Sequence, residues 1–484
     1  MESIWRENIV IPERKRAEGL LEREVVVIGA GMTGILTACH LQRRGKQVTV
    51  LEAGRIAGGQ TGRTTAKITS QHGLFYHSLI SDTGFGRAKL YARANQEAID
   101  AYEEMIEERQ IDCDFRRLPA YLYSTVNTDL LRQEAEAAKA LGIAAEMVSV
   151  SELPFPTEGA VRFENQAQFH PLKFIRALAE GLEIYENTPV KKVSGNAVYF
   201  DGGMVSAQTI IFATHYPIVN FPGMYFLRQH QERSYVLALA GCGRLNGMYY
   251  SADADGLSFR SAGDILLLGG NSHRTGRNVR GGAYASLEGI ARKYYKDSQV
   301  VGRWSAQDCM PHDGIPFVGR YSCLTGNRDH SGAGENGDGR KGHGSSGLGG
   351  FFAGNRDWYV ATGYKKWGMT SAMAASLLLA DLVTGRENEY ENLFTPQRLL
   401  IKAAAGNLIT DIGESVRGLS KGWLRPWKRQ EETGEKRWTR CPHLGCRLEW
   451  NPDEESWDCP CHGSRFDKDG HLLDEPAQRP LDSP

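Results

Sequence analysis

The sequence predicts a chain of mixed class, α/β and α+β, closed by a small all-β domain. Three observations carry this. A strand, a glycine loop, a helix and a second strand succeed one another between residues 24 and 52. From about 225 to 305 the pattern is mostly short strands. Two compact boxes of cysteine and histidine lie between Cys441 and Ser464. The chain has 484 residues, which at roughly 150 residues per domain suggests two or three domains. Hydrophobic residues make up 41%, ample for a sizeable core, and the formal net charge is −1. Such a balance argues for neither nucleic acid nor a charged membrane surface as partner. No apolar run approaches the roughly 20 residues of a spanning helix.

The first element is the most specific. Val25 to Ile28 is a short β-branched run and reads as a buried strand. Gly29, Gly31 and Gly34 follow as G-x-G-x-x-G. A helical stretch with Ile35, Leu36, Ala38 and Leu41 ends at Gly45. Val48 to Leu51 is the next strand, and Glu52 ends it. That context makes the motif a dinucleotide-binding, Rossmann-type unit. The glycines let the backbone approach a pyrophosphate. The helix N-terminus stabilises its charge, and Glu52 is placed to accept from a ribose hydroxyl.

The segment after Glu52 carries Gly58-Gly59 and then Arg63, Thr64, Thr65 and Lys67. It resembles FAD enzymes of the D-amino-acid oxidase family, such as glycine and sarcosine oxidases. The resemblance implies that the segment runs along the pyrophosphate towards the flavin ring, with Arg63, Thr64 and Thr65 as contacts to FAD. Read without it, these residues are a polar surface loop.

Helices are expected over 84–110 and 128–141, and strands around 119–124 and 160–163. A further helix opens at Pro171, which suits a first turn. Tyr185 to Val193 resembles the family's strand beside the adenine, with Val190 as its contact. Ile210 to Thr214 is similar to the strand that closes the family's FAD domain, placing Ala213 at the cofactor and His215 where relatives carry glycine. Strands over Tyr235–Ala240, Gly247–Ser251, Leu257–Arg260 and Ile265–Gly269 resemble the family's substrate-domain sheet. Tyr249, Arg260 and His273 are candidate pocket residues there, although single polar residues on strands are more often ordinary surface or core.

Residues 303–319 end in Asp313-Gly-Ile-Pro316-Phe-Val-Gly319, similar to the family's return to its FAD domain. An arginine that several relatives carry shortly before this aspartate is absent, and Asp308 lies near that place. Cys309 lies close to where some relatives attach FAD covalently. Residues 325–351 are glycine-rich and polar and read as a flexible insertion. Trp358 to Thr370 resembles the family's closing motif. There Gly363 bounds a turn, and Gly368, Met369 and Thr370 open a helix aimed at the flavin. A helix N-terminus suits a reduced flavin, which carries negative charge. Lys67 and Lys365 are expected near the flavin, and no catalytic base is identifiable. Leu399 to Leu419 has an amphipathic pattern and precedes a charged linker. Docking on the FAD domain is its expected role, with membrane contact a less favoured one.

The terminal boxes are Cys441-Pro-His443-Leu-Gly-Cys446 and Cys459-Pro-Cys461-His462-Gly-Ser464. Zinc can use cysteine and histidine, but four ligands leave two of these six residues unexplained. The boxes resemble those of Rieske proteins, most of all the disulfide-containing kind of cytochrome bc complexes. That implies a 2Fe-2S cluster with Cys441 and Cys459 on one iron, His443 and His462 on the other, and a Cys446–Cys461 disulfide. Residues 1–23 are charged and lack an apolar core of signal-peptide length, so a cytoplasmic protein is expected.

The organisation implied is a charged extension at 1–23 and an FAD-dependent oxidoreductase at 24–395. Within the latter, FAD-binding parts fall at about 24–80, 165–220 and 310–395, and substrate-domain parts at about 81–164 and 221–309. A helix and linker follow at 396–430, then a Rieske domain at 431–484. The expected activity is dehydrogenation of a small amine or amino acid by FAD, with electrons leaving through the cluster to an external acceptor. An oxygen-using oxidase with a structural cluster and a non-enzymatic redox sensor or electron-transfer protein are the alternatives. An NADH-fed reductase would need a second dinucleotide fingerprint, and the sequence has one.

Overall fold

The computed structural model describes residues 3–7, 9–254, 256–322, 358–398, 400, 403–404 and 440–481. Most of the amphipathic stretch at 399–419, all of the linker at 420–437 and the glycine-rich segment at 325–351 fall outside the described residues.

Three sheets organise the described residues. The first runs β16 (Phe317–Arg320), β17 (Trp358–Thr362), β10 (Gly203–Phe212), β1 (Gly19–Ile28), β2 (Val48–Leu51) and β7 (Glu183–Tyr185). Its centre is parallel, with β1 between β10 and β2. The hairpin β8 (Val190–Ser194) and β9 (Ala197–Phe200) extends it beside β10. Successive residues of β1 serve opposite faces, as the period of a strand demands. Val25 and Val27 enter one apolar cluster, while Val26 and Ile28 enter another. A strand buried on both sides needs an unbroken β-branched run, which is why Val25 to Ile28 is so legible.

The second sheet runs β15 (Gln299–Pro311), β11 (Gln229–Ala240), β14 (Ile265–Arg274), β13 (Ser258–Ala262), β12 (Met248–Ser251), β4 (Arg116–Ser124), β6 (Gly159–Gln168) and β3 (Lys67–Ile68), with β5 (Ala145–Val148) on β6. All its pairs are antiparallel except β12 with β4. The third is the small meander β18 (Glu449–Asn451), β19 (Ser456–Asp458), β20 (Arg465–Asp467) and β21 (Leu472–Asp474).

Among the described residues the α-helices are α1 (Met32–Arg43), α2 (Tyr76–Thr83), α3 (Phe85–Glu108), α4 (Asp129–Ala140), α5 (Pro171–Ala179), α6 (Ala283–Tyr294), α7 (Gly368–Val383) and α8 (Glu391–Phe394). α1 packs against both α5 and α7, and α3 against α7. Their apolar faces and one face of the first sheet form the largest core. His170 caps α5 by accepting from the Lys173 amide at 3.3 Å, and Pro171 fills its first position.

Four expectations change. β1 starts at Gly19, before the boundary expected at residue 24, because Gly19 to Arg23 continue the pairing with β10. Trp5 is buried at 2% exposure and its indole donates to the Thr64 carbonyl at 2.6 Å, so the charged N-terminal stretch contributes to the core. The single strand expected over Tyr185–Val193 is two strands, β7 and β8. β7 pairs with β2 while β8 folds back on β9. Finally, α6 interrupts the strand-rich region.

Candidate flavin site and cluster site

Gly29 has φ +107, and a Cβ there would sit 2.5 Å from the Ala213 carbonyl oxygen. A Cβ on Gly34 would sit 1.9 Å from the Gly29 oxygen, so α1 can approach β1 only with glycine at that position. Gly31 precedes α1 without a side-chain cap, and the Met32 amide donates to Thr61 Oγ1 at 2.9 Å. The Thr61 hydroxyl therefore sits at the start of α1 beside the glycine backbone, and the remaining amides there form the cradle a pyrophosphate requires.

Glu52 follows β2. Its Oε2 accepts from the Ala30 amide at 2.7 Å and its Oε1 from the Gly54 amide at 2.9 Å. These bonds hold the glycine loop against the next segment. Burial raises the Glu52 carboxyl above its ordinary value. The strand beside Glu52 is β7, since the Glu52 backbone amide donates to the Tyr185 oxygen and the Glu52 carbonyl accepts from the Thr188 amide, each at 2.8 Å. Val190 lies further along, paired with Phe200 in the β8–β9 hairpin. Buried Glu186 fastens the region by accepting from the Ile56 amide at 2.7 Å and the Arg14 amide at 2.8 Å.

Arg63, Thr64 and Thr65 leave this loop with their carbonyls committed. They accept from Trp304 at 2.7 Å, Trp5 at 2.6 Å and Arg260 at 2.8 Å respectively. Their contact with a cofactor is therefore left to the side chains and amides. Arg260 is thus a support for the loop, Tyr249 donates to Glu152 at 2.6 Å, and His273 bonds Tyr235 at 3.1 Å. Cys309 is buried with its thiol 3.5 Å from the His215 carbonyl, and burial pushes it well up, which suits an inert thiol.

Ala213 follows β10 and lies against Gly29, and His215 takes φ +63 two residues on, the conformation that glycine adopts freely. Gly363 has φ +81, with Pro311 2.5 Å from where a Cβ would be. The turn it bounds leads into α7, whose first residues Gly368, Met369 and Thr370 carry no side-chain cap. The Thr370 hydroxyl donates to the Thr69 carbonyl at 3.0 Å, so its amide is what remains for a ligand. Lys67 Nζ donates to the Tyr249 carbonyl at 3.2 Å, and burial lowers it to about 7. Lys365 Nζ lies 4.0 Å above the Phe75 ring, and burial lowers it to about 8.

The two terminal boxes fold alike. In the first the Cys441 amide donates to the Cys446 oxygen at 2.8 Å. In the second the Cys459 amide donates to the Ser464 oxygen at 2.8 Å. The glycine near the end of each, Gly445 or Gly463, has φ +81 or +90. Cys446 and Cys461 are joined in a disulfide with Cα atoms 6.5 Å apart. The sulfurs of Cys446, Cys459 and Cys461 lie within 4.8 Å of one another, but the disulfide withdraws two of them as ligands. Cys441 and Cys459 are both buried. Cys441 and the amides around His462 favour the Cys459 thiolate.

The His443 and His462 rings lie perpendicular with centroids 5.0 Å apart. His443 Nε2 bonds Asn220 Oδ1 at 2.9 Å, so Nε2 carries the proton. Nδ1 is then a lone pair, buried and with no hydrogen-bond partner. This is the tautomer an imidazole ligand needs, fixed by a bond to its other nitrogen. Two buried thiols and two facing imidazoles are thus available, and the residues fit a cluster held by Cys2His2.

This small domain is held against the large one by buried charge. Arg233, at 0% exposure, reaches Asp474 at 3.3 Å and Glu454 at 3.4 Å across the boundary. Arg465 meets the same carboxylates at 2.7 and 3.2 Å, and Asp458 at 3.1 Å. Burial would raise Asp474, but Arg465, Arg63 and Arg233 outweigh it and hold the carboxyl at about 2. Gln231 donates to the His462 oxygen at 2.8 Å, Gln307 to the Gly463 oxygen at 2.9 Å, and Arg274 to the Pro460 oxygen at 2.8 Å. None of Gln231, Gln307, Arg233 and Asn220 stands in a motif. For Gln231 and Arg233 the one sequence signal is a run of polar residues, Gln229 to Arg233, on a strand whose far end is apolar.

Among the described residues no helix is long and apolar enough to cross a membrane.

Comparison with known proteins agrees with both sites. The family model DAO, FAD dependent oxidoreductase, matches residues 24–382, and the Rieske [2Fe-2S] domain model matches residues 437–484. The chain is 34% identical over 523 residues to the putative Rieske 2Fe-2S iron-sulfur protein YhfW of Bacillus subtilis (strain 168), covering 99% of this chain and 97% of that protein. It is 54% identical over 41 residues to the cytochrome b6-f complex iron-sulfur subunit 2 of Trichormus variabilis, covering 8% of this chain and 23% of the other. Among solved structures, glycine oxidase from Geobacillus kaustophilus superposes with a TM-score of 0.61 at 18% identity, over 78% of this chain and 99% of that one.

Proposed function

The chain belongs to the DAO family of FAD dependent oxidoreductases and carries a C-terminal Rieske [2Fe-2S] domain, and from this we propose that it dehydrogenates a small amine or amino acid and passes the electrons through the cluster domain to an external acceptor. FAD supplies acceptance of a hydride, and a Rieske centre supplies one-electron transfer at a potential raised by its histidines.

On this reading Gly29, Gly31 and Gly34 admit the pyrophosphate, and the carboxylate of Glu52 faces the ribose. The Arg63–Thr65 loop flanks the cofactor, and the amides of Gly368, Met369 and Thr370 offer positive charge to the flavin. Cys441, Cys459, His443 and His462 hold the cluster, and the Cys446–Cys461 disulfide ties its two loops together. The observation that carries the electron route is the bridge at Gln231. His215, two residues after Ala213, donates from Nε2 to Gln231 Oε1 at 3.2 Å. Gln231 in turn donates to the His462 oxygen at 2.8 Å. The flavin wall and a cluster-ligand loop are thereby joined through one side chain, inside a boundary locked by buried ion pairs.

Anaerobic titration of the purified holoprotein with a panel of amines and amino acids tests this. Flavin absorbance and the electron paramagnetic resonance of the reduced cluster are followed together. Flavin bleaching followed by a cluster signal is the expected result. Bleaching with an oxidised cluster, and peroxide formed at the turnover rate in air, would favour the oxidase alternative.

A further inference from the structure

Antiparallel neighbours β11 and β15 set Glu232 directly opposite Asp308. Alternate residues of a strand face opposite sides. Gln231, Arg233, Ser305 and Gln307 are engaged with the cluster domain and with one another. Glu232 and Asp308 therefore face away from it, towards the turn Tyr364–Trp367 that enters α7. Lys366 of that turn reaches Glu232 at 2.9 Å. Trp367 stacks on His72 with centroids 4.9 Å apart, and Tyr250 meets Trp367 edge-on at 5.4 Å. Asp308, Glu232 and Lys366 lie deep in the protein yet are only partly covered, so unfilled space, the chamber of this proposal, lies beside them.

The charges in this chamber are unequally matched. Glu232 is satisfied by Lys366 and by His230, the latter at 3.5 Å. Lys67 is committed to the Tyr249 carbonyl, and Lys365 rests on the Phe75 ring. Asp308 makes no hydrogen bond or ion pair among the described residues. Burial pushes its carboxyl up to about 6 against the pull of Lys366. A carboxylate enclosed without a partner is costly, and a cation entering the chamber removes that cost. The faces of Tyr250 and Trp367 suit an alkylammonium as well.

We propose that Asp308 anchors a cationic nitrogen of the substrate, so that the chamber takes a diamine, with one ammonium at Asp308 and a second amine for oxidation, in preference to an α-amino acid. An α-carboxylate in the same place would face both Asp308 and Glu232. The assignment rests on the flavin reading only for identifying this chamber as the substrate's.

Isothermal titration calorimetry of the holoprotein with 1,4-diaminobutane and with N-methylglycine tests it. Saturable binding of diaminobutane is expected, weakened at least tenfold in Asp308→Asn and retained in Asp308→Glu. Asp308→Arg is expected to lose diaminobutane and gain N-methylglycine, and a gained ligand cannot come from misfolding. The assignment is overturned if wild-type protein ignores diaminobutane, if Asp308→Asn binds it as tightly as wild type, or if wild type prefers N-methylglycine. Binding that depends on Asp308 while the cluster stays oxidised would uphold this site and sink the electron route. A flavin and cluster both reduced by a substrate indifferent to Asp308 would do the opposite.

Discussion

Gln231 places its amide nitrogen 2.8 Å from the backbone oxygen of His462 and its amide oxygen 3.2 Å from the ring of His215. One side chain of the large domain thus touches both a cluster-ligand loop and the residue that follows the flavin-side strand. Leucine at 231 nearly preserves volume and removes every side-chain hydrogen bond. Gln231→Leu is expected to slow electron transfer from flavin to cluster several-fold, with the midpoint potential of each centre unchanged. Rapid-mixing absorbance and redox titration read the two quantities separately. A wild-type transfer rate would remove Gln231 from the route.

Arg233 fixes the two domains together. Its guanidinium is enclosed with Asp474 and Glu454, and removing one partner leaves buried charge uncompensated. Arg233→Met is expected to cost about 3–5 kcal/mol. Hydrogen exchange should rise across residues 454–474 while the α1 amides remain protected. Uniform loss of protection through the whole chain would mean that the ion pairs support the large domain instead.

Asp308 gives a pH signature. Its folded value is about 6 against an ordinary 3.8. The folded state therefore holds the proton more tightly than the unfolded one. The penalty is absent below about pH 4, grows as pH rises through 4 to 6, and is complete above 6. Without ligand, Asp308→Asn should be more stable than wild type by about 1–3 kcal/mol at pH 8, with the gap closing by pH 4. Melting temperatures across that range decide it. A gap independent of pH would show that the carboxyl is solvated.

Gly34 tests the glycine cradle. A methyl group there would lie 1.9 Å from the Gly29 oxygen, so α1 must move from β1. Gly34→Ala should lose bound flavin and destabilise the large domain by several kcal/mol, on the order of 4. The cluster signal should persist, because the boxes are loops that flank a separate sheet. Flavin absorbance and the cluster resonance, measured on the same sample, report both.

The disulfide closes a loop of 15 residues between Cys446 and Cys461. In the chain-entropy account a loop of that size is worth about 3 kcal/mol. Cys446→Ser should lower the stability of the cluster domain by that order, and the cluster should be lost on mild heating before the flavin is. Equal rates of loss for the two cofactors would show that the domains unfold as one.

Much of this protein was determined by its sequence alone. Gly29-x-Gly31-x-x-Gly34 and the two Cys/His boxes are local devices. Each demands particular residues within a few positions, because a backbone must approach a phosphate or a loop must turn to aim its ligands. Those demands are visible without knowing the rest of the chain, and so both cofactors were legible. The tertiary structure decided what depends on partners distant in the chain. It set β1 back to Gly19 through pairing with β10, and it moved Val190 into a hairpin away from Glu52. It turned Gln231, Arg233 and Gln307 towards the cluster domain and left Asp308 on the opposite face. A strand states that its neighbours alternate, but not which side meets which partner. That is settled by register between β11 and β15 and by the burial of a whole domain against them.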